Sequence, residues 1–438
     1  MPLPDVDVLI IGAGAAGLAA LRELDRGGCN ALCLEARDRI GGRIFTVRDS
    51  LWSVPIELGA EFIHGRPPEI WDIIRDGRLT AYDCAGRARH VKKGKVQPGD
   101  DTWRLIDHVM TGLKQMAGTG PDEPFANFLN RSSYSEDAKQ LSTSYVEGFN
   151  AARKEVVGIH SLAQDAKASD AIEGDRAFRL AANGYQCVPL EILAGVRNSV
   201  SKLRLNAIVE SIQWQPGSTT VQLYGGEVVH ARRMLVTVPL GVLQSAPGEP
   251  GAIRFDPEPH EILGAARAMR FGQAVRVVLR FREAFWESGE DFADAGFLLS
   301  DEPSFSTWWT TLPVRAPILT GWSAGPRADA LMGKSQAEVL SHAISSLARI
   351  TSHSAADLNR LLQAAYFHDW QADPFARGAY SYVPAGALPW RAKFVEPVQD
   401  TLFFAGEATE QNGHSATVHG AIGSGIRAAR QVLERDRL

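Results

Sequence analysis

Val6-Asp7-Val8-Leu9-Ile10-Ile11-Gly12-Ala13-Gly14-Ala15-Ala16-Gly17 is the stretch whose reading decides the fold. An apolar run of strand character meets a G-x-G-x-x-G turn and passes straight into Leu18-Ala19-Ala20-Leu21, a helical pattern. Each glycine has its own task. Gly12 permits the tight turn, Gly14 lets backbone approach a pyrophosphate, and Gly17 lets the helix pack close to its strand. The N–H groups of the first helical turn, at Ala15 and Ala16, then face the phosphates at the positive end of the helix dipole. A second apolar run, 31–34, ends on Glu35, about where a dinucleotide fold carries the acid that accepts both ribose hydroxyls. Ala36 and Arg37 follow it at the same strand end. These residues predict a Rossmann-like α/β unit.

Just beyond lies Ile40-Gly41-Gly42-Arg43. Two glycines and an arginine suit a loop whose backbone and guanidinium hold phosphate oxygens. A nicotinamide enzyme has no need of this second element, whereas FAD proteins of the glutathione-reductase type carry it, so the expected cofactor is FAD. Ile56-Glu57-Leu58-Gly59-Ala60-Glu61-Phe62-Ile63-His64-Gly65 follows, and the small Gly59 and Ala60 would let backbone pass close to a flat ring.

With these motifs on the page the chain resembles the flavin-dependent amine oxidases, in a short bacterial-type form. That family includes monoamine oxidases, polyamine and spermine oxidases and the lysine-specific histone demethylases. The resemblance implies that the segment with Gly59, Ala60 and Glu61 runs beside the flavin. Ile63-His64-Gly65 is similar to the animal polyamine and spermine oxidases, which implies His64 near the substrate; it would orient or deprotonate it. Asn183-Gly184-Tyr185-Gln186-Cys187-Val188-Pro189-Leu190 resembles a demethylase segment that opens a helix and returns the chain to the FAD domain. By the same analogy the backbone of Val209 meets the adenine end, and Leu235-Val236-Thr237-Val238-Pro239-Leu240-Gly241-Val242-Leu243 is a turn beside the cofactor.

Residues 271–286 read as an alternating strand, with Ala274, Arg276, Val278, Arg280 and Arg282 on one face. Periodicity alone makes its arginines a solvated face. The resemblance instead implies that Arg276 points at the flavin, where most members hold a lysine linked through a water to N5. An arginine there is too basic to act as a base; it would hold a water, a substrate carboxylate or the charge of the reduced flavin.

Asp369-Trp370-Gln371-Ala372-Asp373-Pro374-Phe375-Ala376-Arg377-Gly378-Ala379-Tyr380-Ser381-Tyr382 resembles a run shared by demethylases and polyamine oxidases, with Trp370 among the cofactor candidates. Monoamine oxidases hold their flavin-anchoring cysteine at the position of Ala379, so FAD here is expected to be non-covalent. Tyr380 aligns with one wall of the family's aromatic cage, which presents its π face to the amine. The opposite wall aligns with Thr417, so half the cage is missing. Near the C-terminus, Phe404-Ala405-Gly406-Glu407 precedes Ala416-Thr417-Val418-His419-Gly420-Ala421. The resemblance implies that Gly406 and Glu407 reach the pyrophosphate and ribityl chain. It also implies that Thr417, Val418 and Ala421 open a helix whose N-terminus faces the N1/O2 edge of the flavin.

Composition agrees with a soluble enzyme. The 438 residues carry a net charge of −5, without the basic excess of a nucleic-acid binder. No apolar run reaches the length of a membrane span, and the residues before the first strand leave no room for a signal peptide. Cys29, Cys33, Cys84 and Cys187 form no C-x-x-C and no metal spacing, so free thiols and a cytoplasmic location are expected. No metal is expected; whether the chain forms a homodimer stays open.

The expected fold is α/β in two domains. A Rossmann-like FAD-binding domain of the glutathione-reductase type (residues 1–68, 183–255 and 393–438) is interleaved with a mixed-sheet and helical substrate domain (69–182 and 256–392). Within the latter, 101–116, 125–130 and 135–150 read as amphipathic helices, and Glu147, Glu173 and Asp175 are acids able to attract ammonium groups. Residues 203–212 read as a strand, 222–229 as a hairpin and 336–350 as a helix. The expected reaction is hydride transfer from the α carbon of a small primary or secondary amine to flavin N5, giving an imine, then an aldehyde, with molecular oxygen as acceptor and hydrogen peroxide as product. Two alternatives stand beside it: an L-amino-acid oxidase with Arg276 pairing the carboxylate, and a flavin-binding protein without amine turnover. Catalytic candidates are Arg276, Tyr380, His64 and Thr417.

Overall fold

A computed structural model describes residues 5–52, 54–92, 94–116 and 119–435. The opening stretch forms strand Val6–Ile11, helix Ala15–Arg26 and strand Ala31–Leu34. Val8 and Ile10 enter one core, Leu9 and Ile11 the other. A strand covered on both faces reads as a continuous apolar run, which is why this one does. It lies between Ala31–Leu34 and Val228–Val236, parallel to both. Leu402–Phe404 then runs parallel to Val228–Val236. The chain's last helix, Val418–Arg435, shares the core of Ala15–Arg26 through Ile422, Ala428, Ala429 and Val432. The first and last described helices therefore meet on one face of the first sheet.

A second sheet runs, among the described residues, in the order Leu362–Phe367, Ala274–Phe281, Ile318–Ala324, Thr307–Trp309, Ala295–Ser300, Arg87–Lys92 and Lys95–Pro98. On one of its faces Val275, Val277, Leu279 and Phe281 pack against Val339, Ala343 and Leu347 of helix Gln336–Thr351. On the other, Val278 joins Ile56 and Leu58. The solvated-face reading of the 271–286 arginines is thereby corrected: Arg276 and Arg280 are only 5% and 6% exposed, and of the three only Arg282 is exposed. The cause is tertiary. Ala274–Phe281 has a partner strand on either side, and the 56–61 segment crosses the face that alternation assigns to solvent.

Other expectations are refined. The three amphipathic helices form as Asp100–Met116, Phe125–Arg131 and Glu136–Phe149. Region 69–182 is not purely helical, however, since it also holds Ala81–Asp83, Arg87–Lys92, Lys95–Pro98 and Ala177–Leu180. Most of these short strands have partners remote in sequence: Ala177–Leu180 pairs with Ile63–His64, and Arg87–Lys92 with Ala295–Ser300. Local periodicity carries little trace of such pairing. The single strand expected over 203–212 is two, Leu203–Arg204 and Val209–Gln215, parted at Asn206, whose φ is 56°. The hairpin at Gly225-Gly226 is present.

Candidate active site

At the first turn, a Cβ on Gly17 would stand 1.9 Å from the Gly12 carbonyl oxygen, so helix and strand approach as only glycine allows. Gly14 is the N-cap of helix Ala15–Arg26 and gives it no side-chain cap; a Cβ there would meet nothing within 4 Å. Unsatisfied helix N–H groups thus border open space. The buried Glu35 carboxylate accepts from the Ala13 and Arg37 N–H groups at 2.8 and 3.0 Å. After Ala36, Arg37 reaches Asp373 at 2.7 Å. Ala207 donates to the Glu35 carbonyl oxygen at 2.8 Å, which brings the Val209 strand to this end. The second glycine loop lies against the first, with Gly41 N–H on the Ala13 carbonyl oxygen at 2.9 Å and Gly42 beside Gly14.

Arg43 joins the two ends of the chain. Its Nη1 donates to the Ala379 carbonyl oxygen at 2.6 Å and pairs with Glu407 at 3.0 Å. Glu407 also accepts from the Ser381 hydroxyl at 2.6 Å and the Ala416 N–H at 3.1 Å. Thr417 caps the last helix. Its hydroxyl accepts from Gly420 N–H at 3.0 Å and donates to the His414 carbonyl oxygen at 2.6 Å. Val418 and Ala421 lie in that helix's first turn, and an added Cβ on Gly406 would find only the Val238 carbonyl oxygen, at 4.0 Å.

This donor set fits FAD: an uncapped helix N-terminus beside an open cradle suits a pyrophosphate, and a buried acid next to it suits a ribose. Gly12, Gly14, Ala15, Ala16, Gly17, Glu35, Gly42 and Arg43 would hold its ADP half.

Across the second sheet lies a different chemistry. The Gly59 backbone runs against Arg43, and Trp370 donates to the Leu58 carbonyl oxygen at 2.7 Å, fixing the segment that continues through Ala60. Arg276 donates from Nη1 to the Gly59 carbonyl oxygen at 2.5 Å and ion-pairs with Glu61. Glu61 in turn accepts from Arg179 at 2.6 Å and from the Trp309 indole at 3.0 Å. Burial lowers the Arg276 pKa to about 10, which leaves it charged at neutral pH. Nearby, burial raises Glu57 to about 7.

Tyr380 and Trp322 converge on the end of helix Glu136–Phe149. The phenol donates to the Phe149 carbonyl oxygen at 2.7 Å, the indole to that of Gly148 at 2.9 Å. His64 meets the Phe149 ring edge-on at 5.4 Å. Burial pushes the Tyr380 phenol up and holds His64 down to about 4, so both are neutral at pH 7. His419 falls to about 3, through burial and then its neighbours His414 and His64. The structure thus brings Arg276 to Gly59 and Glu61, and Tyr380 and His64 to Phe149; Thr417 sits on the separate helix cap. Glu173 and Asp175 are exposed, Glu173 against Arg66 and Arg176.

Sequence reading missed Phe62, Phe149, Arg179, Phe297, Trp309 and Trp322. Trp309 and Trp322 sit in short strands whose register no local pattern reveals.

A dinucleotide fold, a buried guanidinium against the Gly59–Glu61 backbone and neutral rings at Tyr380 and His64 fit a flavoprotein oxidoreductase. Residues 15–433 match the flavin containing amine oxidoreductase family, and the chain belongs to it. As a member it is a flavin-containing amine oxidoreductase. Polyamine oxidase 4 of Oryza sativa subsp. japonica is 27% identical over 463 residues, covering 98% of this chain and 88% of that protein. Lysine-specific histone demethylase 1 homolog 3 of Arabidopsis thaliana is 28% identical over 505 residues; the match covers 98% of this chain and 30% of the relative's length. Among solved structures, putrescine oxidase bound to putrescine shares the fold at TM-score 0.82 and 20% identity, covering 98% of this chain and 99% of that one. Cyclohexylamine oxidase from Brevibacterium oxydans does so at TM-score 0.82 and 22% identity, covering 99% and 100%.

Proposed function

We propose that the chain oxidises a small primary or secondary amine, monoamine or polyamine-like, at the carbon beside nitrogen. The imine then hydrolyses to an aldehyde, and molecular oxygen is reduced to hydrogen peroxide. One observation carries the reading: Tyr380, His64 and Phe149 form a neutral aromatic wall, and Arg276 stands against Gly59 on the sheet beside it. Bound FAD supplies the hydride acceptor. The protein's own groups do the rest. An ammonium loses its proton more readily in a poorly hydrated pocket, and the Tyr380 face receives the amine. Neutral His64 offers a ring nitrogen to orient it. Arg276, always charged, favours negative charge on the ring side.

The cofactor-binding role of the remaining candidates (Arg37, Ala36, Gly59, Ala60, Glu61, Val209, Trp370, Gly406, Glu407, Thr417, Val418 and Ala421) belongs to the same reading. So does the division into residues 1–68, 183–255 and 393–438 for FAD and 69–182 and 256–392 for substrate. No helix among the described residues is long and apolar enough to cross a membrane. Free thiols at Cys33, Cys84 and Cys187 support a cytoplasmic location.

Anaerobic mixing of the holoenzyme with a panel of amines and amino acids tests the proposal. Bleaching of the flavin band by amines is expected. No bleaching by any member would favour a flavoprotein without amine turnover, and bleaching by L-amino acids alone would favour an amino-acid oxidase.

A further inference from the structure

The register of the second sheet places three large rings and a guanidinium on one face. Phe297 pairs with Trp309, Trp309 with Thr320, and Trp322 with Arg276. In antiparallel pairs, directly opposed residues project to the same side, so Phe297, Trp309, Trp322 and Arg276 form a continuous row. Phe62 lies over its far end, 5.9 Å from the Phe297 ring and 5.4 Å from that of Trp309. Trp322 closes the near end against Gly148, next to the Tyr380 and His64 wall. The row therefore leads away from the place where the amine would react.

The charges along it are cationic or already paired. Arg276 stacks 5.2 Å from the Trp309 ring and Arg179 4.8 Å from that of Phe62. Glu61 lies between two guanidiniums and faces both, so the trio of Arg179, Arg276 and Glu61 keeps one positive charge in excess. A second ammonium at Glu61 would find like charge there, and the neighbouring Glu57 carboxylate is already held by the Thr46 hydroxyl and the Tyr185 N–H. Nor is there a vacant fork for a carboxylate. Arg179 uses Nε on Glu61, Nη1 on the Leu312 carbonyl oxygen and Nη2 on that of Thr310, whereas Arg276 gives Nη1 to Gly59 and Nη2 to the Glu61 ion pair, so that only its buried Nε is left without a partner. Bidentate recognition needs two adjacent free N–H groups on one guanidinium.

We infer that the substrate is a monoamine with an uncharged apolar tail lying along the Phe297–Trp309–Trp322 row, and that the Arg179–Glu61–Arg276 cluster rejects both a second ammonium and a terminal carboxylate. This rests on the amine-oxidase reading above and narrows it.

Hexylamine, 1,6-diaminohexane and 6-aminohexanoate share one length and differ only at the far end. Anaerobic stopped-flow of the holoenzyme with each gives an apparent Kd and a limiting rate of flavin reduction. Hexylamine is expected to bind at least tenfold tighter than either of the others. Across butylamine, pentylamine and hexylamine, the Kd should fall roughly three- to fourfold per methylene, as for a chain entering an apolar site. Tighter binding of the diamine overturns the inference in favour of a polyamine, and tighter binding of the amino acid does so in favour of a carboxylate site. A Kd independent of tail length removes the aromatic row from the substrate site. If no compound bleaches the flavin, the amine-oxidase reading itself fails and takes this inference with it.

Discussion

Arg43 and Glu407, at opposite ends of the sequence, form an ion pair at 3.0 Å that ties the second glycine loop to the C-terminal Gly406-Glu407 turn. Glu407 is buried and holds Ser381 and Ala416 as well, so one carboxylate fixes three segments around the middle of the FAD cradle. Replacing Glu407 with Ala removes the shared acceptor of the Arg43 guanidinium, the Ser381 hydroxyl and the Ser381 and Ala416 N–H groups. Charge-assisted hydrogen bonds of this kind are worth about 1.5–3 kcal/mol each. We expect Glu407→Ala to be purified with less flavin and to bind added FAD at least tenfold more weakly, measured by flavin fluorescence quenching. Wild-type affinity in this variant would show that the pair is not part of the cradle.

Ala379 gives Arg43 its carbonyl oxygen and has no side-chain nucleophile. Acid precipitation of the holoenzyme is therefore expected to release all of the flavin into the supernatant. Flavin retained in the protein pellet would disprove a non-covalent cofactor.

Removing Glu61 should be costly. Arg179 and Arg276 are both buried, and without Glu61 their charges stand uncompensated. Breaking a buried pair in this way typically costs about 3–5 kcal/mol. Glu61→Ala should lower stability by that order in urea unfolding, and adding Arg179→Met should restore part of it. Equal or greater loss in the double variant would argue against an electrostatic cause.

At the glycine turn, a methyl on residue 17 would stand 1.9 Å from the Gly12 carbonyl oxygen. Gly17→Ala must push helix from strand, and we expect loss of bound FAD and a lower melting temperature. A variant that keeps wild-type flavin content would mean the turn relaxes without disturbing the cradle.

Stability should depend on pH through opposing groups. His64 and His419 fall from an ordinary 6.5 to about 4 and about 3. Between those values and 6.5 the unfolded chain binds more protons than the folded one, so their effect is to make stability rise with pH over that window. Glu57, raised from 4.5 to about 7, acts in reverse: the folded state holds the extra proton, and stability falls as pH climbs from 4.5 through 7. Melting temperatures followed from pH 4 to 8 should show a shallower acid-side loss in His419→Gln. In Glu57→Gln the decline toward neutral pH should become shallower, with Asp165, which burial also raises to about 7, still contributing. Curves parallel to the wild type would mean that these groups titrate alike in both states.

The sequence alone determined the nucleotide end. Gly12, Gly14 and Gly17 answer to local backbone rules, and Glu35 follows at the end of the next strand, so a turn, a helix N-terminus and an acid can be read from a short stretch of chain. The Gly41-Gly42-Arg43 loop added Arg43, and the motif resemblance extended this to Tyr380 and Glu407, although not to what they touch. Tertiary structure decided the rest. Alternation put Arg276 and Arg280 in solvent, because a period of two says which residues share a face and nothing about what covers it. Glu61 became the partner of Arg276 only when the 56–61 segment crossed the strand, and Trp309 and Trp322 joined one surface only through the register of strands distant in sequence. The acid proposed to receive the ribose lies close in the chain to the glycines beside it, whereas the surface proposed to choose the amine is assembled from elements that meet only in the folded protein.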